Sequence, residues 1–139
     1  MRIISFLPSA TEILCKLGLQ EQLVGVSHEC DFPPAVQSLP KVTENAFDKG
    51  ESSASINTRV GQAVKSGDSL FNLKSELFLS LKPDLVVTQS LCGVCAIDSR
   101  TIGNAMASLS KESRLVALSA ETLEDVFSRD IVPDRLKDI

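Results

Sequence analysis

Four short apolar runs punctuate the chain: Ile3 to Leu7, Leu23 to Val26, Leu85 to Val87 and Leu115 to Leu118. They are β-branched or Leu-rich and show little polar alternation, the pattern of strands covered on both faces. Helical periodicities separate most of them, and strands alternating with helices make βαβ units and a parallel sheet. The chain is therefore expected to be α/β, a three-layer open sheet, mainly parallel, with helices on both faces.

The first helix is the most clearly signalled. Ser9-Ala10-Thr11-Glu12 has the form of a capping box, Ala10, Ile13, Leu14 and Leu17 make one face, and Gly18 provides the stop. Pro8, just ahead of the cap, is expected to keep the approach extended. Pro33-Pro34 opens a short helix to Ser38 that Pro40 ends, and Glu44 to Ser55 is polar and reads as loop. Ile56, Val60, Ala63 and Val64 form a modest helical face weakened by Gly61. Asn72 is expected to cap a helix that turns Leu73, Leu77, Phe78 and Leu81 inward before Pro83. A helix from about Ser99 to Leu109 carries Ile102, Ala105 and Met106. A last one begins at Thr122 and carries Leu123, Val126, Phe127 and Ile131 until Pro133. With no internal repeat or low-complexity linker, one domain is expected over residues 1–139, with 132–139 as a C-terminal tail.

Composition narrows the function. The 43% apolar and 23% charged residues are those of a globular domain. A net charge of −4 and the absence of Trp and Tyr leave neither a basic footprint nor stacking platforms, which argues against nucleic acid. Nothing approaches the ~18 apolar residues of a membrane-spanning helix, so no membrane insertion is expected. The apolar run at the N-terminus is too short for a signal-peptide core. No nucleophile elbow or phosphate-cradling glycine loop is present, and no enzymatic activity is expected.

Chemistry gathers where strands end. The second run leads into Ser27-His28-Glu29-Cys30-Asp31, which holds the only histidine. The third leads into Gln89-Ser90-Leu91-Cys92-Gly93-Val94-Cys95. In an open parallel sheet all carboxyl ends reach one edge, where ligands bind. His28, Cys30, Cys92 and Cys95 are thus candidate metal ligands, a set suited to tetrahedral zinc or to copper(I). Cys92 and Cys95 also form a C-x-x-C, open to disulfide or thiol exchange. Against both stands the common behaviour of cysteine as a small buried apolar residue, and Cys15, inside the first helix, reads as packing. His28 is either a loop histidine paired with Glu29 and Asp31 or an imidazole offered to a ligand or a cobalt or iron centre. The helix start at Ser9 is either an anion site or a set of amides already used in capping.

At these residues the chain resembles a family. Ile3-Ile4-Ser5-Phe6-Leu7-Pro8-Ser9-Ala10-Thr11-Glu12-Ile13-Leu14, then Leu23 through Pro34, is similar to the opening of the cobalamin- and iron-siderophore-binding proteins of ABC importers. Ser80 through Gln89 and Leu123-Glu124-Asp125-Val126 extend the likeness. The His-Glu-Cys-Asp and Cys-Gly-Val-Cys-Ala segments resemble a cobalamin-type branch.

The resemblance implies one lobe of a two-lobed fold with a helical backbone, of the periplasmic-binding-protein type, in which a corrinoid or metal chelate lies between lobes. The implied partners are that small molecule, a second lobe and an ABC importer. Carried over by position, Pro8, Ser9, Ala10, His28, Glu29, Cys30, Gln89, Ser90, Leu91 and Cys92 fall on the ligand-facing edge. The lack of a leader in this chain tilts the expected compartment to the cytoplasm, although the resembled family is exported. Two alternatives stand beside this reading: a cytosolic metal- or thiol-binding protein using Cys92 and Cys95 with His28 and Cys30, and a truncated lobe without independent binding.

Overall fold

The computed structural model describes residues 1–46, 50, 52–66, 70–89, 97, 99–109 and 113–118. The four apolar runs are strands: β1 (Ile3–Ser5), β2 (Leu23–Val26), β5 (Leu85–Gln89) and β6 (Arg114–Leu118). They make one sheet in the order β2-β1-β5-β6 with every pairing parallel. β3 (Thr43–Asn45) and β4 (Phe71–Leu73) form a separate antiparallel pair, in which Thr43 faces Leu73, Glu44 faces Asn72 and Asn45 faces Phe71.

Strand side chains alternate between faces, and both faces are covered. On one side Ile3, Leu85, Val87 and Val116 pack with Ala10 and Leu14 of α1 (Pro8–Lys16). On the other, Ile4 and Val86 pack with Phe78 of α3 (Ser75–Ser80) and Ile102 of α4 (Ser99–Met106). That is the expected three-layer α/β arrangement. Fully burying a side chain such as Phe78 or Leu14 contributes about 1.5–3 kcal/mol.

Close approach fixes one glycine. A Cβ on Gly25 in β2 would lie 2.8 Å from Leu81 Cδ1 and 3.0 Å from Val42 Cγ1, so only hydrogen fits without repacking. Gly18 ends α1 as expected, at φ 79°. Its amide donates to the Cys15 carbonyl and that of Leu19 to Leu14, both at 3.0 Å. This is the double bond pattern of a Schellman stop, with Leu14 and Leu19 both buried.

Three expectations are corrected. The capping box does not form: α1 begins two residues earlier, with Pro8 at its first position and extended Leu7 as the uncapped N-cap. Proline suits that position because its fixed φ is already helical and its missing N–H would have been unpaired there. Glu44 to Ser55 is not a loop throughout, since it contributes to β3 and then starts α2 (Ser53–Ser66). Asn72 is not a helix cap, and Leu73 is not helical; both belong to β4, and α3 begins after Lys74. The short helix after Pro33 is present as a 3-10 turn, Pro34–Ser38. The expected last helix and the tail lie outside the described residues.

Candidate functional site

Because β2 and β5 both pair in parallel with β1, the chain leaves all three strands at the same edge. The ladder runs on there: the Phe6 amide donates to the Val87 carbonyl and the Ser27 amide to that of Ser5, each at 2.9 Å. With strands spaced about 4.8 Å apart, the exits after Val26 and Gln89 stand roughly 10 Å apart, on either side of Phe6. A cleft of about 60 Å³ opens on this rim. Phe6, Leu7 and Pro8 form one wall, Thr43 and Phe71 of the hairpin another, and Ser27, His28 and Glu29 lie between, with Ile97 also in contact.

Several contacts hold His28 on the rim. Its backbone N–H donates to Thr43 Oγ1 at 2.9 Å, and its Nδ1 lies 2.6 Å from the same oxygen. Nε2 is 3.0 Å from Asn45 Oδ1 and 3.0 Å from Glu29 Oε1. The imidazole also lies against Phe71, with ring centroids 5.2 Å apart. The Thr43 hydroxyl thus accepts from the His28 amide and is also paired with Nδ1. Nε2 faces two oxygens that can only accept, Asn45 Oδ1 and the Glu29 carboxylate, and so carries a proton shared between them. Glu29 is itself set by its amide, which donates to Ser27 Oγ at 3.2 Å, and its carboxylate is half exposed.

Cys30, two residues on, turns the other way. It is 1% exposed and packs in the cluster beneath α1. Its sulfur lies 3.2 Å from Thr11 Oγ1, within a buried group that includes Ser5 Oγ and the Leu7 carbonyl. Burial pushes this thiol above its ordinary pKa, against smaller opposing effects from the Thr11 and Ser27 hydrogen bonds and the Lys41 charge. The Lys41 ammonium donates to the Cys30 carbonyl at 2.6 Å. Cys30 therefore behaves as the small buried residue of the plainer reading. Cys15 packs against the same cluster, and burial and then the Glu12 charge raise its pKa.

The other named positions divide by location. Pro8 and Ser9 are exposed at the start of α1, and Ala10 is buried beneath it. No side chain caps this helix, so the Ser9 and Ala10 amides are not used by a capping box. Gln89 ends β5, half-buried. Ser90, Leu91, Cys92 and Cys95 lie outside the described residues. Among the described residues no three His, Cys, Asp or Glu side chains converge as a metal site, and no helix is long and apolar enough to cross a membrane. Sequence reasoning missed Phe6, Thr43, Asn45 and Phe71. Only the β-compatible Phe71-Asn72-Leu73 offered a signal.

No protein-family model matches the sequence, and no curated protein matches it significantly. Solved structures do. The periplasmic vitamin B12 binding protein BtuF of Vibrio cholerae superposes with a TM-score of 0.62 at 23% identity, covering 98% of this chain and 40% of that one. The chain has the fold of one binding-protein lobe. A possible iron-binding, periplasmic solute-binding protein from Staphylococcus epidermidis gives 0.59 at 26% identity, covering 98% of this chain and 43% of that one. The periplasmic heme binding protein HutB of Vibrio cholerae gives 0.60 at 20% identity, covering 99% and 40%. The lobe thus spans about two fifths of the length of these proteins.

Proposed function

We propose that this lobe is a non-enzymatic ligand-binding unit that takes a corrinoid, or a related metal chelate, against its strand-end rim. The observation that carries the reading is the rim itself. Three parallel strands open at one edge of a binding-protein lobe, beside a cleft walled by Phe6, Pro8 and Phe71 with the Glu29 carboxylate at its margin. Apolar walls with a few placed polar groups are the common make-up of small-molecule sites. Support also comes from what the neighbours are described as binding: vitamin B12 in one case and heme in another.

The cleft of about 60 Å³ is far below the ~300–1,000 Å³ of a complete ligand pocket. In this reading the rim is one side of a larger site, and a second lobe closes the other. An ABC importer would then receive the ligand from the closed pair.

The test is titration of the purified chain with aquocobalamin, hemin and a ferric hydroxamate siderophore, followed by absorption and equilibrium dialysis. Saturable one-to-one uptake of one of them supports the reading. Failure of all three to bind, alone and with a supplied second lobe, overturns it.

A further inference from the structure

We infer that His28 is a positioning residue that fastens the β3–β4 hairpin to the strand-end rim, and not an axial ligand to a metal centre; its bearing on ligand uptake rests on the function proposed above. Thr43 and Asn45 are two apart on β3 and so share a face, and Phe71 is the cross-strand partner of Asn45. The imidazole meets all three: Thr43 through Nδ1 at 2.6 Å, Asn45 through Nε2 at 3.0 Å, and Phe71 ring to ring at 5.2 Å. One side chain from the end of β2 therefore spans both strands of the hairpin.

The β3–β4 pair is short. It has three paired positions, and an isolated two-stranded ribbon is marginal in water. The Val42 amide also joins it to the sheet by donating to the Val26 carbonyl, and Val42, Phe71 and Leu73 pack on the cluster around Ile4 and Val86. Thr43 and Phe71 are also a wall of the cleft, so whatever holds the hairpin sets the width of the opening. Coordination of a metal would require a free nitrogen lone pair. Nδ1 is engaged by the Thr43 hydroxyl, and Nε2 carries the proton shared by Asn45 and Glu29. The same proton holds the Glu29 carboxylate at the margin of the cleft.

Two measurements test this. In the ligand-free protein, amide hydrogen exchange is followed at residues 43–45 and 71–73, with β1 and β5 as internal reference. His28→Ala and Thr43→Val should each speed exchange in the hairpin by roughly tenfold or more, since each removes hydrogen bonds on which local closure depends. His28→Gln, whose amide can still donate to Asn45 and Glu29, should stay close to wild type. Hairpin exchange unchanged in both His28→Ala and Thr43→Val overturns the inference. In the second measurement, aquocobalamin and hemin are bound to wild type and to His28→Gln. The visible bands of the bound probe should coincide; a band shift on removing the imidazole means direct ligation and also overturns it. If wild type takes up neither probe, nor the siderophore, alone or with a supplied second lobe, the proposed function fails, while the exchange result still decides the role of His28.

Discussion

Arg2 and Asp84 are bound to each other twice, across 82 positions of sequence: the Arg2 amide donates to Asp84 Oδ2 at 2.7 Å, and the Asp84 amide donates to the Arg2 carbonyl at 2.8 Å. The Arg2 guanidinium adds a bond from Nε to the Leu81 carbonyl at 2.6 Å. This exchange sits where β1 and β5 begin and sets their register from the edge opposite the rim. Asp84→Ala should lower stability by roughly 1 kcal/mol, the net worth of a hydrogen bond of this kind. Urea unfolding followed by circular dichroism checks it; an unchanged midpoint contradicts the register role.

Gly25 in β2 leaves no room for a side chain. The added methyl of Gly25→Ala must displace the β-branched Val42 as well as the end of Leu81. Overpacking of this kind costs about 1–3 kcal/mol. A thermal melt should show the loss, with partial recovery when Leu81→Ala is combined with it. A wild-type melting temperature for Gly25→Ala would mean that the sheet and α3 do not meet as described.

Thr88 is fully buried in β5, and its hydroxyl has no hydrogen-bond partner among the described residues. An unmade buried hydrogen bond is destabilising, so Thr88→Val should be neutral or raise stability by up to about 1 kcal/mol. Clear destabilisation would reveal a partner for the hydroxyl.

The buried Cys30 thiol makes a pH prediction whose sign can be worked out. Burial raises its folded pKa above the ordinary value near 9.0. The unfolded chain then loses this proton at a lower pH than the folded one. Stability is unaffected below that ordinary value and falls as pH rises through it toward the folded pKa. Cys30→Ala should flatten this alkaline decline in unfolding curves taken between neutral pH and about pH 10. An identical slope in both proteins contradicts the assignment.

β1, β2 and β5 were legible because they are covered on both faces, and a buried run of Val, Leu and Ile has few other uses. β6 was expected to be covered likewise, but at the edge of the sheet it buries only Val116 and leaves Leu115 exposed. The hairpin was not. Thr43-Glu44-Asn45 is polar, and its strand character comes from pairing with residues 71–73, which no local pattern records. The same pairing took Asn72 and Leu73 out of the helix that their spacing suggested. At α1, a well-formed Ser9–Glu12 signature lost to the proline beside it. The rim followed from topology, because parallel strands must share an exit edge. The pairing of His28 with Glu29 was among the readings of the sequence, but its other partners were hidden, since Asn45 comes from the stretch read as loop and Thr43 lies just before it. Two neighbouring side chains, His28 and Cys30, also separate to opposite sides of one short loop, a choice that spacing alone does not encode.

The placement of ligand on the rim is tested most directly by blocking that edge. Ser9→Trp puts an indole on the exposed start of α1, and Lys16→Trp puts the same group at the far end of that helix, about 10 Å along its axis. Titrated with aquocobalamin and hemin, wild type and Lys16→Trp should bind alike, and Ser9→Trp should bind at least tenfold more weakly. Equal binding by all three proteins, or loss in Lys16→Trp alone, would place the ligand elsewhere and contradict the account.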